Sequence, residues 1–414
     1  MDDLNSYLHE ELSKIPFSIF DLFCDYINLN KNVKIAIVGG YIRDLIIKKY
    51  HRKTQFKIID LDIIVEGSAI SLAKFIKKKI LKVDFCLIKE FKLYNTVEMN
   101  INNITIDIAS AREEVYTAPG QNPKVKDSNI KNDLKRRDFS INAIAYEISK
   151  KELIDLFEGI KHIKKKELHL LHKNSIKDDP SRLLRCAKYA SRLNFQISQQ
   201  SLIQSQKFIQ EWPWKYEKND FGVKFPPGIS IRIRMEISEI LKHDNLTFVI
   251  SKLDEWEVIA LLNTKIKVNK KFLRGLRWIQ RLNGKTILYL LKDSNSFDLI
   301  CERFFINKKD RKILYDFQKT KKLLNSNNKF DNYSPSNWTK FIEESNLDPE
   351  TVKLIISDDT KFWKPLLRWL LIYRFIKSNK DGEELKKEGW LPGKIMGDEI
   401  KRLRYIQIDK HLKR

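Results

Sequence analysis

The chain has 414 residues, 42% of them hydrophobic, with 78 Lys and Arg against 54 Asp and Glu, a formal net charge of +24. That length is enough for several folded units. No apolar run reaches the roughly eighteen residues a membrane span needs, so an integral membrane protein is not expected. A field this positive suits a polyanion, either nucleic acid or an acidic membrane surface. Lys, Ile and Asn are abundant throughout, so part of the excess is compositional. Cys24, Cys86, Cys186 and Cys301 are scattered, with neither a metal spacing nor a disulfide framework, as in a reducing cytosol. The opening MDDLNSYLHEELSK has no basic segment followed by an apolar stretch, so no signal peptide and a cytoplasmic location are expected.

Residues 1 to about 32 read as helical, with Leu4, Leu8, Leu12 and Ile15 at near-helical spacing. Ile35–Val38 is a short β-branched run that predicts a buried strand, and it enters a turn at Gly39 and Gly40. Glycines let a backbone turn sharply and approach a ligand closely. Tyr41–Ile47 can then open a helix whose free N–H groups favour an anion over the turn, with Arg43 adding a forked cation. A second apolar strand carries Asp60 and Asp62 among Ile58, Ile59, Ile63 and Ile64. Residues two apart share one face of a strand, and two carboxylates there repel unless a cation lies between them. Magnesium, a hard ion that prefers carboxylate and phosphate oxygens, suits the pair.

A basic amphipathic helix is predicted over 68–80 and short strands over 83–88, 93–98 and 104–109. On the last of these, Asp107 is a candidate third acid, as a metal ligand or as base for an attacking hydroxyl; a surface aspartate on an alternating strand reads the same way. The segment Asp133–Ala145 packs Arg136, Arg137, Asp138, Ser140 and Asn142 ahead of an apolar helix. Arg137 can hold a triphosphate or sugar, and Asp138 and Asn142 can orient a ribose hydroxyl, while Asp138 also suits an N-cap. In Asp178–Leu193, Pro180 suits the first helical position and Asp179 the N-cap, with Leu183, Ala187 and Ala190 as the buried stripe. Asp179 and Arg182, three apart, can offer an acceptor and a forked donor to a base edge. Beyond residue 150 helical periodicity dominates, with candidates at 229–242, 248–262, 271–281, 296–304, 308–325, 337–344 and 363–377. Trp212–Pro227 reads as an insertion and Asn325–Pro335 as a linker.

These blocks, VGGYIRD (38–44), DLD (60–62), RRDFSINAIAYE (136–147), LIDLFEG (153–159) and DDPSRLLRCAKYASRLNF (178–195), resemble the class II tRNA nucleotidyltransferase and bacterial poly(A) polymerase family. A weaker echo lies at LPGKIMGDEIKRL (391–403). The resemblance implies an α+β fold: a polymerase β-like nucleotidyltransferase head with a small mixed sheet at 1–148, a helical neck at 149–228, and an RNA-binding helical body and tail at 229–414. It implies that Asp60 and Asp62 hold Mg2+; Asp107, read from its strand as the third acid, completes the candidate catalytic group. By motif position, Gly39, Gly40 and Arg43 would meet the incoming nucleotide, and Arg137 its triphosphate or sugar. Asp179 and Arg182 would pair with the base of ATP or CTP with support from Arg185, and no nucleic-acid template is used. The activity implied is addition of C and A to the 3′ end of tRNA; poly(A) tailing or CC-only or A-only output share the same motifs. The chain departs from the family pattern at Asp178, Ser140, Lys188 and Ile231; Lys188 stands where a planar Arg fork is usual.

Overall fold

The structure, a computed structural model, describes residues 2–51, 60–80, 86–101, 104–211, 218–219, 222–223, 227–263, 266–293 and 297–411. Ile58 and Ile59, the start of the strand predicted at 83–88 and most of the Trp212–Pro227 insertion lie outside them. The chain divides into two compact units, Met1–Trp214 with Phe225–Ile240, and Lys215–Lys224 with Leu241–Arg414.

The first unit opens with α1 (Asp2–Ser13) and α2 (Ile19–Leu29). Leu4, Leu8, Leu12 and Ile15 are all buried, as their spacing requires. The two helices are separate because Pro16 starts a tight turn in which Phe17 and Ser18 take positive φ. Seven strands follow in one sheet: β1 (Lys34–Val38), β2 (Asp60–Glu66), β3 (Cys86–Phe91), β4 (Thr96–Ile101), β5 (Ile104–Ser110), and, after a separate hairpin of β6 (Arg112–Val115) and β7 (Lys124–Asp127), β8 (Ile144–Glu147) and β9 (Glu152–Asp155). Their spatial order is β3-β4-β5-β2-β1-β8-β9, antiparallel except for the parallel pair β2–β5. Helix α3 (Gly40–His51) leaves the end of β1, and α4 (Ala69–Lys79) follows β2, close to the predicted 68–80.

The expected apolar helix after Asn142 is not present. Ser140–Asn142 makes one 3-10 turn, and Ile144–Glu147 pairs with β1 as a strand, with Ala36 opposite Glu147 and Val38 opposite Ala145. A segment of four residues, Ile-Ala-Tyr-Glu, carries no period long enough to separate helix from strand, and pairing to β1 decides it. The unit closes with α5 (Ile130–Lys135), α6 (Gly159–Lys165), α7 (Ser175–Asp178), α8 (Ser181–Leu193), α9 (Gln199–Glu211) and α10 (Pro227–Leu241). Helix α8 buries Leu183, Ala187 and Ala190 as predicted. It begins one residue later than the spacing suggested, yet the Asp179 carboxylate still accepts the Ser181 N–H at 3.1 Å.

Within this unit lies a stacked imidazole pair, His162 and His169, with ring centroids 4.6 Å apart and planes 6° from parallel. His162 Nδ1 meets Ser140 Oγ and His169 Nδ1 meets Ser198 Oγ, each at 2.9 Å. Burial holds both imidazoles below their usual 6.5, and the neighbouring ring lowers His162 further. Above that pH both states are neutral and nothing is lost; as pH falls through 6.5 the unfolded chain takes up protons the folded chain resists. The urea midpoint is therefore expected to drop between pH 7.5 and 5.5, and His169→Gln to flatten that drop.

The second unit is helical: α11 (Leu246–Glu255), α12 (Lys270–Arg281), α13 (Thr286–Leu291), α14 (Phe297–Arg303), α15 (Lys308–Ser326), α16 (Pro335–Glu344), α17 (Pro349–Ser357), α18 (Trp363–Leu371), α19 (Gly382–Lys387) and α20 (Lys394–His411). The candidate at 248–262 stops at Glu255 because Glu257 takes a positive φ, leaving a 3-10 turn at Val258–Leu261. No described helix is long and apolar enough to cross a membrane.

Candidate active site

The site is built where β1 ends beside β2. Val38 lies opposite Asp62, so the next residue, Gly39, turns directly over that carboxylate. Gly39 has φ of +76°, and a Cβ there would come within 2.7 Å of Asp62 Oδ2 and 3.2 Å of Arg137 Nη1. Glycine is required twice, by the backbone and by the space. Gly39→Ala is expected to destabilise the fold by about 1–3 kcal/mol and to displace Asp62; urea unfolding reads the first effect and nucleotide titration the second.

Asp62 accepts a hydrogen bond from the Gly40 N–H, at the N-terminus of α3. Its carboxyl is nevertheless pushed above the usual value, first by burial and then by Asp60, against the pull of Arg137 and the Gly40 N–H. Asp60 is exposed and shares the same face of β2, while Leu61 and Ile63 between and beyond them are buried. Across the parallel pair, Asp107 on β5 stands opposite Asp62. Asp107 as a whole is solvent-exposed, but partial burial of its carboxyl, then Asp62, Glu98 and Asp60, push it up to about 6. Among the described residues, no three His, Cys, Asp or Glu side chains gather tightly enough to cage a metal. What the site holds is a two-carboxylate face with a third acid beside it and more negative charge than its surroundings neutralise. That donor set fits a hard divalent cation that takes its other ligands from water and phosphate.

The two neighbouring arginines diverge. Arg136 is committed to Asp133 at 2.8 Å and Glu114 at 3.0 Å. Arg137 has only a long 3.5 Å contact to Asp133, and its Nε finds no partner. It faces Asp62 and the space over Gly39.

Arg43 is placed differently from a surface clamp. It is 2% exposed, with Nε donating to Asp44 Oδ1 and Nη1 to Asn142 Oδ1, both at 2.7 Å, and its guanidinium 5.3 Å from the Tyr189 ring centre. The chain of contacts continues. Asn142 Nδ2 donates to Asp138 Oδ1 at 3.0 Å, and Asp138 Oδ2 pairs with Arg185 Nε at 3.0 Å. Arg185 Nη2 donates to Asp179 Oδ2 at 3.1 Å, and Arg185 Nη1 to Glu236 Oε1 at 3.0 Å. Burial is the largest influence and would raise Asp138 and Asp179, but Arg185 acting together with Asn142, Arg182 and the Phe139 N–H at Asp138, and with Arg232, Ser181 and Arg182 at Asp179, holds both below the usual carboxylate value. Lys188 pairs with Glu236 at 3.2 Å.

Asp179 and Arg182 are both buried; the Arg182 N–H donates to the Asp179 carbonyl at 3.2 Å, while their side chains take separate hydrogen-bond partners. Asp179 Oδ1 accepts from Ser181 Oγ at 2.7 Å and Arg232 Nε at 3.2 Å. Arg182 donates to Ser175 Oγ and to the Arg136 carbonyl, each at 2.6 Å. The structure thus brings Gly39, Gly40, Asp60, Asp62, Asp107 and Arg137 together, and links Arg43, Asn142, Asp138, Arg185 and Asp179 in a second, continuous polar chain. Arg232 and Glu236 join that chain from α10, the helix expected at 229–242; the sequence placed no role on them.

Residues 35–169 match the model of the poly A polymerase head domain. An A-adding tRNA nucleotidyltransferase of Aquifex aeolicus is 31% identical over 265 residues, which are 63% of this chain and 28% of the relative. A CC-adding tRNA nucleotidyltransferase of Deinococcus radiodurans is 31% identical over 182 residues, 42% of this chain and 44% of that one. The chain therefore spans under a third of the Aquifex relative and under half of the Deinococcus one. Among solved structures, a CCA-adding enzyme in an apo form shares the fold with a TM-score of 0.76 over 98% of this chain and 94% of that one, at 24% identity. A Thermotoga maritima CCA-adding enzyme complexed with tRNA gives 0.70 over 95% and 90%, at 23%. The glycine turn, the paired aspartates and the RRD segment all lie inside the stretch that matches the poly A polymerase head domain.

Proposed function

We propose that this chain is a template-independent RNA nucleotidyltransferase that adds C and A from CTP and ATP to the 3′ end of tRNA. The observation that carries the reading is the Asp60–Asp62 pair beneath Gly39–Gly40, faced by Arg137. Relatives named for A-adding and CC-adding activity, and the CCA-adding enzymes that share the fold, support it.

Asp60 and Asp62 would hold Mg2+, which when bound supplies charge stabilisation at the reacting phosphate. The remaining work falls to the chain's own groups. The Gly39–Gly40 turn and the N-terminus of α3 leave room and N–H groups for the triphosphate. Arg137 reaches the same space and holds phosphate or sugar, while buried Arg43 keeps the turn fixed from below through Asp44 and Asn142. Asp107, ionised at neutral pH with its carboxyl near 6, is suited to take the proton from the attacking 3′ hydroxyl. The new bond joins that oxygen to the α-phosphorus as the bond to the bridging oxygen breaks, and pyrophosphate leaves. Asp179 and Arg182, once freed from their present partners, offer the acceptor and donor that read the base. The division into a head at 1–148, a neck at 149–228 and a body and tail at 229–414 follows this assignment, with the basic body gripping RNA phosphates in the cytoplasm.

A second reading, output restricted to A or to CC, is favoured by the names of the Aquifex and Deinococcus relatives. Purified protein given tRNA ending at the discriminator base, or already ending in CC, with CTP, ATP or both, separates them by product length. Three added residues support CCA addition, one A on the CC substrate supports A addition, and an open ladder with ATP means poly(A) tailing. No product with any nucleotide overturns the reading.

A further inference from the structure

Two rows of side chains cross the sheet on the face that carries the site. In one, Thr105 stands opposite Asp60 and Asn100 opposite Thr105. In the next, Asp107 stands opposite Asp62, Glu98 opposite Asp107 and Lys89 opposite Glu98. Residues opposite each other in antiparallel strands share a face, with Cβ atoms about 5 Å apart. The other face of β4 and β5 is closed, with Val97, Met99, Ile106 and Ile108 buried. This one is open: Asp107 and Lys89 are exposed, and Asn100, Thr105 and Glu98 are half-buried. Glu98 is thus the next side chain beyond Asp107, and Lys89 holds it from the edge strand, Nζ to Oε1 at 2.8 Å. A carboxylate has about four acceptor positions, so that pairing leaves Glu98 able to accept more.

We propose that Glu98 is a specificity-determining residue for the acceptor, which takes a hydrogen bond from the 2′ hydroxyl of the terminal ribose and so favours an RNA end over a DNA end. This rests on the nucleotidyltransferase reading above, in which Asp107 meets the attacking 3′ hydroxyl. The 2′ and 3′ hydroxyls of a ribose lie on adjacent carbons and on the same side of the ring. With the 3′ oxygen at Asp107, the 2′ oxygen falls toward a neighbour of Asp107 in the same row. On one side that neighbour is Asp62, the side assigned to the cation and the incoming triphosphate; on the other it is Glu98. There the hydroxyl donates and the carboxylate accepts, and a charged acceptor makes the stronger bond. A 2′-deoxy end has no such donor, which is the difference by which a protein tells RNA from DNA. Lys89 keeps the Glu98 carboxylate in place at the edge of the site, so the bond forms without first ordering the side chain.

The test uses the full chain, with tRNA ending at the discriminator base and tRNA ending in CC, each carrying either ribose or 2′-deoxyribose at its last residue. Single-turnover addition from CTP and ATP gives the ratio between the two ends. Wild type is expected to favour the ribose end about thirtyfold, and Glu98→Ala to narrow that ratio about tenfold, chiefly by slowing the ribose end. Glu98→Gln, whose amide oxygen still accepts but carries no charge, is expected to narrow it about threefold. Glu98→Ala that melts like the wild type and keeps the wild-type ratio overturns the inference, because the preference then belongs to the neighbouring hydroxyl's own chemistry. If Glu98→Ala does not fold, an unchanged ratio in Glu98→Gln overturns it. Wild type that extends both ends equally sinks the inference alone and leaves the function reading standing. Wild type that extends neither end with any nucleotide sinks the function reading, and the role of Glu98 falls with it.

Discussion

Asp62→Ala is expected to abolish nucleotide addition, with a fall of about 10³-fold or more in single-turnover rate, while the fold survives. Asp62 sits closest to the turn, its carboxylate accepting from the Gly40 N–H and facing Arg137. Burial works against its charge, so removing the carboxyl relieves desolvation as it destroys the cation site. Stability is thus expected to hold or rise slightly in urea, while activity collapses. Asp60→Ala is expected to lose activity similarly without the gain, because Asp60 is already exposed. Incorporation at normal rate by the Asp62 variant would refute the assignment of the metal site.

Arg185→Ala is expected to damage both stability and selectivity. One guanidinium faces Asp138, Asp179 and Glu236, each within about 3 Å. Truncation leaves three part-buried carboxylates without their shared partner, at about 3–5 kcal/mol for breaking such an arrangement. The sign with pH is fixed by the two lowered carboxyls. Asp138 and Asp179 contribute stability above the usual value of 3.8, lost as pH falls through their lower folded values. The gap between wild type and variant is therefore expected to be widest at neutral pH and to close in strong acid. Urea unfolding at pH 7 and pH 3.5 measures it; an equal gap at both would mean the loss is packing alone. Arg185→Lys is expected to recover part of the stability, since one ammonium meets fewer of the three carboxylates.

The head was readable because its chemistry is local. Val38 through Asp44 and Asp60 through Asp62 each fit within one strand end and one turn, where glycine and the two-residue period leave few alternatives. Asp107 was readable as an acid on a strand, but its neighbour was not, since only strand order puts it opposite Asp62. The segment Ile144–Glu147 reads as helix in the sequence because its partner, β1, lies over a hundred residues earlier. Arg43 was read from its type as a phosphate contact; its burial and its bond to Asn142, 99 residues away, are tertiary facts. The same holds for Arg232, 53 residues from Asp179. Nothing in the spacing of α10 marks which of its charges turns inward.

The Asp62–Asp107 pairing across β2 and β5 also limits how the gene can vary. Side chains of β5 alternate, with Ile104, Ile106 and Ile108 interred and Asp107 outward. Losing a single codon ahead of Asp107 within that strand would turn the acid into the oily interior and bring isoleucines out to face phosphate. Losing two codons would keep the polarity of each side but would march the acid off station by one pleat. The number of residues in β5 ahead of Asp107 is therefore a chemical quantity as much as a structural one.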